Sequence, residues 1–192
     1  MASVTVKNLS VDYGLAWPRL TAVLLIGFVI ICPAPTSAQE NIGMLEPGLA
    51  AVGEHAPDFI LRNLDQQPVR LSDYRGTPVV LNFFASWCGP CLKELPLLQA
   101  AHVSRGTDYI VLGVATQDSR GAVELLAEDA GLGFPIVIDG DNSVGRAYQV
   151  IGPPYTYFID AQGMVQDVVA GAMEAADLEH RLTLLLVKDD AA

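Results

Sequence analysis

Two cysteines three positions apart, Cys88 and Cys91, lie inside the stretch NFFASWCGPCLKELP, residues 82–96. Such a pair can staple the chain, hold half of a metal clamp, or open and close as a redox couple. A staple stabilises by closing a long loop of unfolded chain, and a bridge across two residues closes almost none. A structural zinc takes four ligands, from two such pairs or from one pair and two histidines. The three histidines here, His55, His102 and His180, are scattered singly. The position of the pair favours redox chemistry. A sulfur at a helix N-terminus meets unpaired N–H groups and a partial positive charge, which stabilise a thiolate. Gly89 suits the bend, and Pro90 fits an early helical position where its missing N–H costs little. On this reading Cys88 is the exposed nucleophile and Cys91, one turn inward, the resolving thiol. W-C-G-P-C between a strand and a helix is a more specific signal than a bare C-x-x-C.

The elements that must position the pair are legible around it. Val79–Ala85 is a near-continuous apolar run, the mark of a strand buried on both faces. Cys91–Ser104 reads as a helix interrupted at Pro96, which removes an internal hydrogen bond. Tyr109–Ala115 is a second central strand. Arg120–Ala130 has the apolar spacing of an amphipathic helix. Phe134–Ile138 is short and apolar, and Ser143–Tyr148 is a helical turn. Phe59–Leu61 and Pro68–Leu71 make a hairpin, followed by a turn at Ser72–Gly76. Thr156–Ile159 and Met164–Val169 flank the turn formers Asp160 and Gly163. A last helix over 174–187 lines up Leu178, Leu182, Leu185 and Leu186. This order predicts an α/β sandwich with a mixed sheet.

The 192-residue chain has room for one domain plus a processing segment. Hydrophobic residues make up 51 % of it, and much of that excess sits at the front. Arg19, the uncharged run Leu20–Cys32 and the small-residue exit PAPTSA, 33–38, describe a secretory signal peptide or a signal anchor. Residues 1–38 are so assigned, with 39–53 as a linker, 54–187 as the folded domain and 188–192 as a C-terminal tail. Either form of the signal puts the domain outside the cytoplasm, periplasmic and soluble or anchored to the outer face of the membrane. Removing 1–38 takes Lys7, Arg19 and Asp12 with it and leaves the rest more acidic still than the whole chain's net −11. That disfavours nucleic acid and anionic lipid as partners. Cys32 is an apolar residue of the signal, so Cys88 and Cys91 are the cysteines that remain.

Trp87–Cys91 resembles the thioredoxin active-site string, and the longer match resembles the TlpA/ResA-like thiol–disulfide oxidoreductases of bacterial envelopes, relatives of the DsbE (CcmG) proteins. Ala56-Pro-Asp-Phe59, Val69–Gly76, Pro78–Trp87, Gly133-Phe-Pro135, Asp139, Ala147-Tyr148, Gly152–Asp160 and Gly163 carry the resemblance, which spans about residues 54 to 187. It implies a thioredoxin-like fold, a central mixed β-sheet flanked by helices, with an N-terminal β-hairpin extension. It also implies a cis-proline facing the cysteines, at Pro154. Relatives more often carry a branched aliphatic residue before that proline; Pro153 here keeps a carbonyl acceptor but has no N–H donor. An acidic residue near the thiols corresponds to Glu94, while the buried strand acid of thioredoxins proper is replaced by Asn82. A carboxylate beside a buried thiol has a raised pKa and can move the resolving cysteine's proton. Some relatives have an acid at the position of Asp118. Trp87 is placed to shield the pair or to join the core, and Tyr155 and Tyr157 to line a docking groove or to pack.

The resemblance implies exchange with a protein disulfide substrate, reductive in direction, on exported proteins such as apocytochrome c. It implies re-reduction by a membrane-embedded thiol donor and no cofactor beyond the Cys88–Cys91 disulfide. Two alternatives stand beside it. A thiol peroxidase of the superfamily typically has a Thr three residues before its reactive cysteine, where this chain has Ala85. A copper-delivery protein of similar fold uses a C-x-x-x-C pair with a distant histidine, for which His180 is the downstream candidate.

Overall fold

The computed structural model describes residues 43–44, 50–104 and 108–189. The signal or anchor at 1–38, most of the linker and residues 190–192 lie outside the described residues. No helix among the described residues is long and apolar enough to cross a membrane.

Eight strands among these residues form one sheet. They are β1 (Gly43–Met44), β2 (Phe59–Asn63), β3 (Pro68–Arg70), β4 (Val79–Phe84), β5 (Ile110–Thr116), β6 (Ile136–Asp139), β7 (Tyr155–Ile159) and β8 (Val165–Ala170). The order is β1-β2-β6-β5-β4-β7-β8, with β3 paired to β2. The helices are α1 (Gly89–Ser104), α2 (Arg120–Ala130), α3 (Ser143–Ala147) and α4 (Ala175–Asp189), with a 3-10 turn at Leu71–Tyr74. The β4–β5 and β5–β6 pairs are parallel, and β4–β7, β7–β8 and β2–β3 are antiparallel. This is the expected thioredoxin-like mixed sheet with its N-terminal hairpin.

β4 is buried at all six positions because both faces of the sheet are covered. Successive side chains point to opposite faces. Val80 and Phe84 join one apolar cluster with Leu95 and Leu98 of α1, Val123 of α2, and Leu178, Leu182 and Leu185 of α4. Val79, Leu81 and Phe83 join another with Phe59, Val144, Tyr148 and Tyr157. In that second layer the Tyr148 ring lies 5.2 Å from Phe83 and 5.0 Å from Tyr157. Its hydroxyl donates to the Pro57 carbonyl at 2.7 Å, which satisfies the buried polar tip.

Most element boundaries shift by a residue or two from the sequence reading, and three differences matter for how the domain is built. Helix α1 begins two residues early, at Gly89, because the cysteine pair forms its first turn. The stretch read as a linker contains β1, paired antiparallel to Phe59 and Ile60. It also contains Ala50 and Gly53, whose amides donate to the carbonyls of Ala147 and Val165. Backbone pairing over two residues leaves no side-chain period to read. The last helix runs past 187, to Asp189.

Gly113 on β5 is the register partner of Asn82. A Cβ there would meet Phe84 Cε1 at 2.9 Å, Phe134 Cε2 at 3.1 Å and Ile136 Cγ1 at 3.3 Å. Neither ring is the free end of a flexible chain, so the strand that delivers the cysteines would have to shift. Gly113→Ala is therefore expected to cost about 1–3 kcal/mol, the usual range for overpacking. Urea unfolding checks it, and an unchanged midpoint would contradict the packing argument.

Candidate active site

The β4-to-α1 junction is built on the sulfur of Cys88. The Cys88 carbonyl accepts from the Leu92 amide at 3.1 Å, the first intrahelical bond, so Cys88 is the N-cap of α1. Its Sγ accepts from the Cys91 amide at 3.2 Å, the bond a capping side chain makes to the third helical residue. Pro90 has no amide to satisfy, and Gly89 fills the first helical position. Cys88 and Cys91 are joined as a disulfide. The N-cap bond would persist to a thiolate and favour it over the thiol.

The strand pairing brings a second segment to the same place. β7 runs antiparallel beside β4, with Phe83 opposite Tyr155, so the start of β7 lies beside the end of β4. The peptide bond between Pro153 and Pro154 is cis. The Pro153 carbonyl oxygen lies 3.4 Å from Cys88 Sγ. The bridged sulfur carries no hydrogen, so this is a contact; a reduced thiol would find an acceptor there. The Pro154 carbonyl accepts from the Gly171 amide at 2.9 Å.

Glu94, one turn after Cys91, is only 2 % exposed. Its Oε1 accepts from the Met173 amide at 2.9 Å and its Oε2 from Asn82 Nδ2 at 3.1 Å. Asn82 Nδ2 also donates to Thr156 Oγ1 at 2.9 Å. Burial pushes the Glu94 carboxyl above its ordinary range, and the Met173 and Asn82 donors hold it partly back. The charge is thus removed from water but not left bare, which is the condition for a buried carboxylate to exist. Lys93, its neighbour in sequence, is exposed.

Two expectations are corrected. Cys88, expected to be exposed, is 5 % exposed: as N-cap it is tucked between the first turn of α1 and the Pro153 carbonyl. Trp87 is 60 % exposed, which overturns the core alternative and not the shielding one, and its Nε1 donates to the Gln117 carbonyl at 3.3 Å. Asp118 holds the approach to the pair. Its Oδ2 accepts from the Ser86 amide at 2.6 Å and its Oδ1 from the Ser119 amide at 2.8 Å. Tyr157 packs in the core, while Tyr155 is half-buried at the start of β7. Sequence reasoning missed Thr156 and the Met173 amide. Nothing in the local text marks a backbone N–H 79 positions away from Glu94 as its partner.

Comparison with known proteins agrees with this geometry. The profile of the AhpC/TSA family matches residues 52–168. The thiol-disulfide oxidoreductase ResA of Geobacillus kaustophilus is 41 % identical over 163 residues, covering 84 % of this chain and 91 % of that protein. A secreted Mycobacterium tuberculosis disulfide oxidoreductase, described as homologous to E. coli DsbE, superposes with a TM-score of 0.61 at 27 % identity. The match covers 66 % of this chain and 96 % of that one. A thiol:disulfide interchange protein of the thioredoxin family from Chlorobium tepidum gives 0.64 at 25 % identity, covering 71 % and 98 %.

The raised Glu94 pKa has a signature in stability. A carboxyl that binds its proton more tightly in the folded state contributes stability below its unfolded pKa. That contribution is lost as pH rises through the folded value. From the ordinary value of 4.5 upward, the wild-type chain is expected to lose stability with pH more steeply than Glu94→Gln. Urea unfolding of the oxidised proteins at a series of pH values compares the slopes, and equal slopes would remove Glu94 as the titrating group.

Proposed function

The chain belongs to the AhpC/TSA family and is a thiol–disulfide oxidoreductase of the ResA/DsbE type, and from that premise we propose that it reduces disulfides in exported proteins, apocytochrome c among them, outside the cytoplasmic membrane. The observation that carries the mechanism is the capping of α1 by Cys88 Sγ beside the Pro153 carbonyl. The reduced Cys88 thiolate attacks one sulfur of the substrate disulfide. The Cys88–substrate mixed disulfide forms and the other substrate sulfur leaves as a thiolate, which takes up a proton. The Cys91 thiol gives its proton to the Glu94 carboxylate and attacks Cys88 Sγ. The Cys88–Cys91 disulfide forms, and the second substrate thiolate is released. Two electrons have passed from the protein dithiol to the substrate. A membrane-embedded dithiol then returns them by the same exchange in reverse.

Substrate docks along the Pro153–Pro154 edge as an extended segment donating a backbone N–H to the Pro153 carbonyl. Proline at 153 has no amide to offer in return, so docking leans on apolar surface. Trp87 at 60 % exposure and Ile151 at 93 % supply it. The leader at 1–38 delivers the domain across the membrane, either cleaved or kept as an anchor.

Cys91→Ser leaves the mixed disulfide without its resolving thiol. Produced in the envelope of its native host, this variant is expected to accumulate a covalent adduct that reducing agent dissolves, and mass spectrometry of the adduct names the partner. Cys88→Ser should give no adduct and should lower insulin-disulfide reduction to the rate of the added reductant alone. An adduct formed equally by Cys88→Ser would place the nucleophile elsewhere.

A further inference from the structure

The buried amide beside Glu94 is satisfied at one end only. Both hydrogens of Asn82 Nδ2 are used, on Glu94 Oε2 and Thr156 Oγ1. Asn82 Oδ1 is buried and has no partner among the described residues, although Asn82 is fully enclosed at 0 % exposure. An unpaired buried acceptor costs free energy and calls for an explanation. The three side chains meet because β4 and β7 are in register at Asn82 and Thr156 and α1 lays Glu94 across them.

We propose that the Asn82 side-chain amide turns over with the protonation of Glu94: Nδ2 donates to the carboxylate, and Oδ1 accepts from the carboxylic acid. This makes Asn82 the positioning residue of the proton step between Cys91 and Glu94, and it rests on the reading of Glu94 as the proton acceptor. The Met173 amide that holds Oε1 is backbone and cannot turn away, so Oε2 is the oxygen that takes the proton. A proton there sets a new donor against the Nδ2 hydrogens. A half-turn of the amide exchanges oxygen and nitrogen in nearly the same volume. Oδ1 then accepts from Glu94 Oε2–H and from the Thr156 hydroxyl, which changes from acceptor to donor by rotating its hydrogen. Either orientation leaves one end of the amide without a partner, so no hydrogen bond at that end locks it in one of them. The proton on Glu94 decides between them.

No charged side chain competes for the role. The groups that move the Glu94 carboxyl are burial, the Met173 amide and Asn82. On its own helix Lys93 is exposed, and after Met173 so is Glu174. Asp167 of β8 pairs with Arg181 of α4, which also holds Asp177. Tyr157 of β7 donates to the Tyr148 carbonyl in the opposite core layer, and β4 and β5 carry no titratable side chain. Of the remaining titratable groups, Cys88 caps the end of α1 and His102 lies about two turns beyond Glu94, so the Cys91 thiol, one turn before it, is the partner placed to exchange its proton. The step is balanced: the Cys91 S–H bond breaks, a Glu94 Oε2–H bond forms, and the negative charge passes from oxygen to sulfur.

The test uses the reduced full-length chain with labelled asparagine side chains, titrated by NMR beside the Glu94 carboxyl carbon. The turn moves both Nδ2 hydrogens at the midpoint of Glu94, including the one on Thr156, which does not titrate. A fixed amide that only feels the charge moves the Glu94-facing hydrogen alone, and that result, or no movement, overturns the proposal. Asn82→Leu, which fills the space and can neither donate nor accept, is expected to slow the Cys91 step about tenfold in single-turnover release of a trapped thiol, the worth of one charged hydrogen bond. Should that variant not fold, Thr156→Val leaves Asn82 in place and is expected to abolish the concerted shift of the two hydrogens; persistence of that shift in Thr156→Val counts against the turn. Glu94→Gln separates the two readings. If it leaves the pH profile of the release step unchanged, the Glu94 reading fails and takes this one with it. If it flattens the profile while the wild-type hydrogens fail to move together, only the Asn82 proposal falls.

Discussion

A carboxylate with 2 % exposure must be bonded on both oxygens or lose its charge, and the site is arranged around that demand. One oxygen of Glu94 is held by the Met173 amide, in the connection between β8 and α4. The other is held by Asn82 in the middle of β4. Through Asn82 the tie reaches Thr156, two residues past the cis-proline, and through Gly171 the same connection reaches the Pro154 carbonyl. The second turn of α1, one turn after the cysteines, is thereby fixed against the two segments that flank them. A helix held only by apolar contacts could slide along the sheet; one pinned through a buried charge cannot without exposing it unpaired, a loss of several kcal/mol.

The sheet order explains why a sulfur and a proline carbonyl meet. β4 lies between β5 and β7, parallel to the first and antiparallel to the second. The end of β4 delivers Cys88, and the beginning of β7 delivers Pro153 to the same edge. Asp118, at the end of β5, clamps the Ser86 amide from the other side. Three strand ends therefore meet at the N-terminus of one helix. The backbone amide that caps against Cys88 Sγ is the donor that will stabilise negative charge on that sulfur.

Much of this was legible from residue order. The near-continuous apolar text of Val79–Ala85 marked a strand covered on both faces, Tyr109–Ala115 marked a second central strand, and Arg120–Ala130 showed its helical period end to end. The cysteine motif was legible because its meaning is local: strand, cap, first turn. The Asn82–Thr156 bond spans 74 positions and the Glu94–Met173 bond 79. Neither residue type announces a partner at that distance, and a backbone N–H has no letter of its own. The edge strand Gly43–Met44 was hidden for the same reason, since backbone alone makes it. Exposure was also misjudged at Cys88, and of the two alternatives for Trp87 the core one fell. Side-chain type predicts average burial, but here the cap draws the sulfur inward while the indole rests its N–H on the Gln117 carbonyl at the surface.

A buried acid one helical turn from Cys91 at first looks self-defeating, because its negative charge opposes the thiolate the chemistry needs. Burial settles the conflict. Raising the carboxyl pKa brings it closer to that of a thiol, so proton transfer between Glu94 and Cys91 becomes less uphill than with an exposed carboxylate. In the proposed reaction the transfer creates no new charge inside the protein. It moves one existing charge from oxygen to sulfur, so the desolvation already borne in folding is not increased at the moment of attack. Cys88, whose charge is stabilised by the helix amide, need not share this arrangement. On the proposed mechanism the two sulfurs are served by different parts of the fold, the first by the helix end and the second by a carboxylate held in the core.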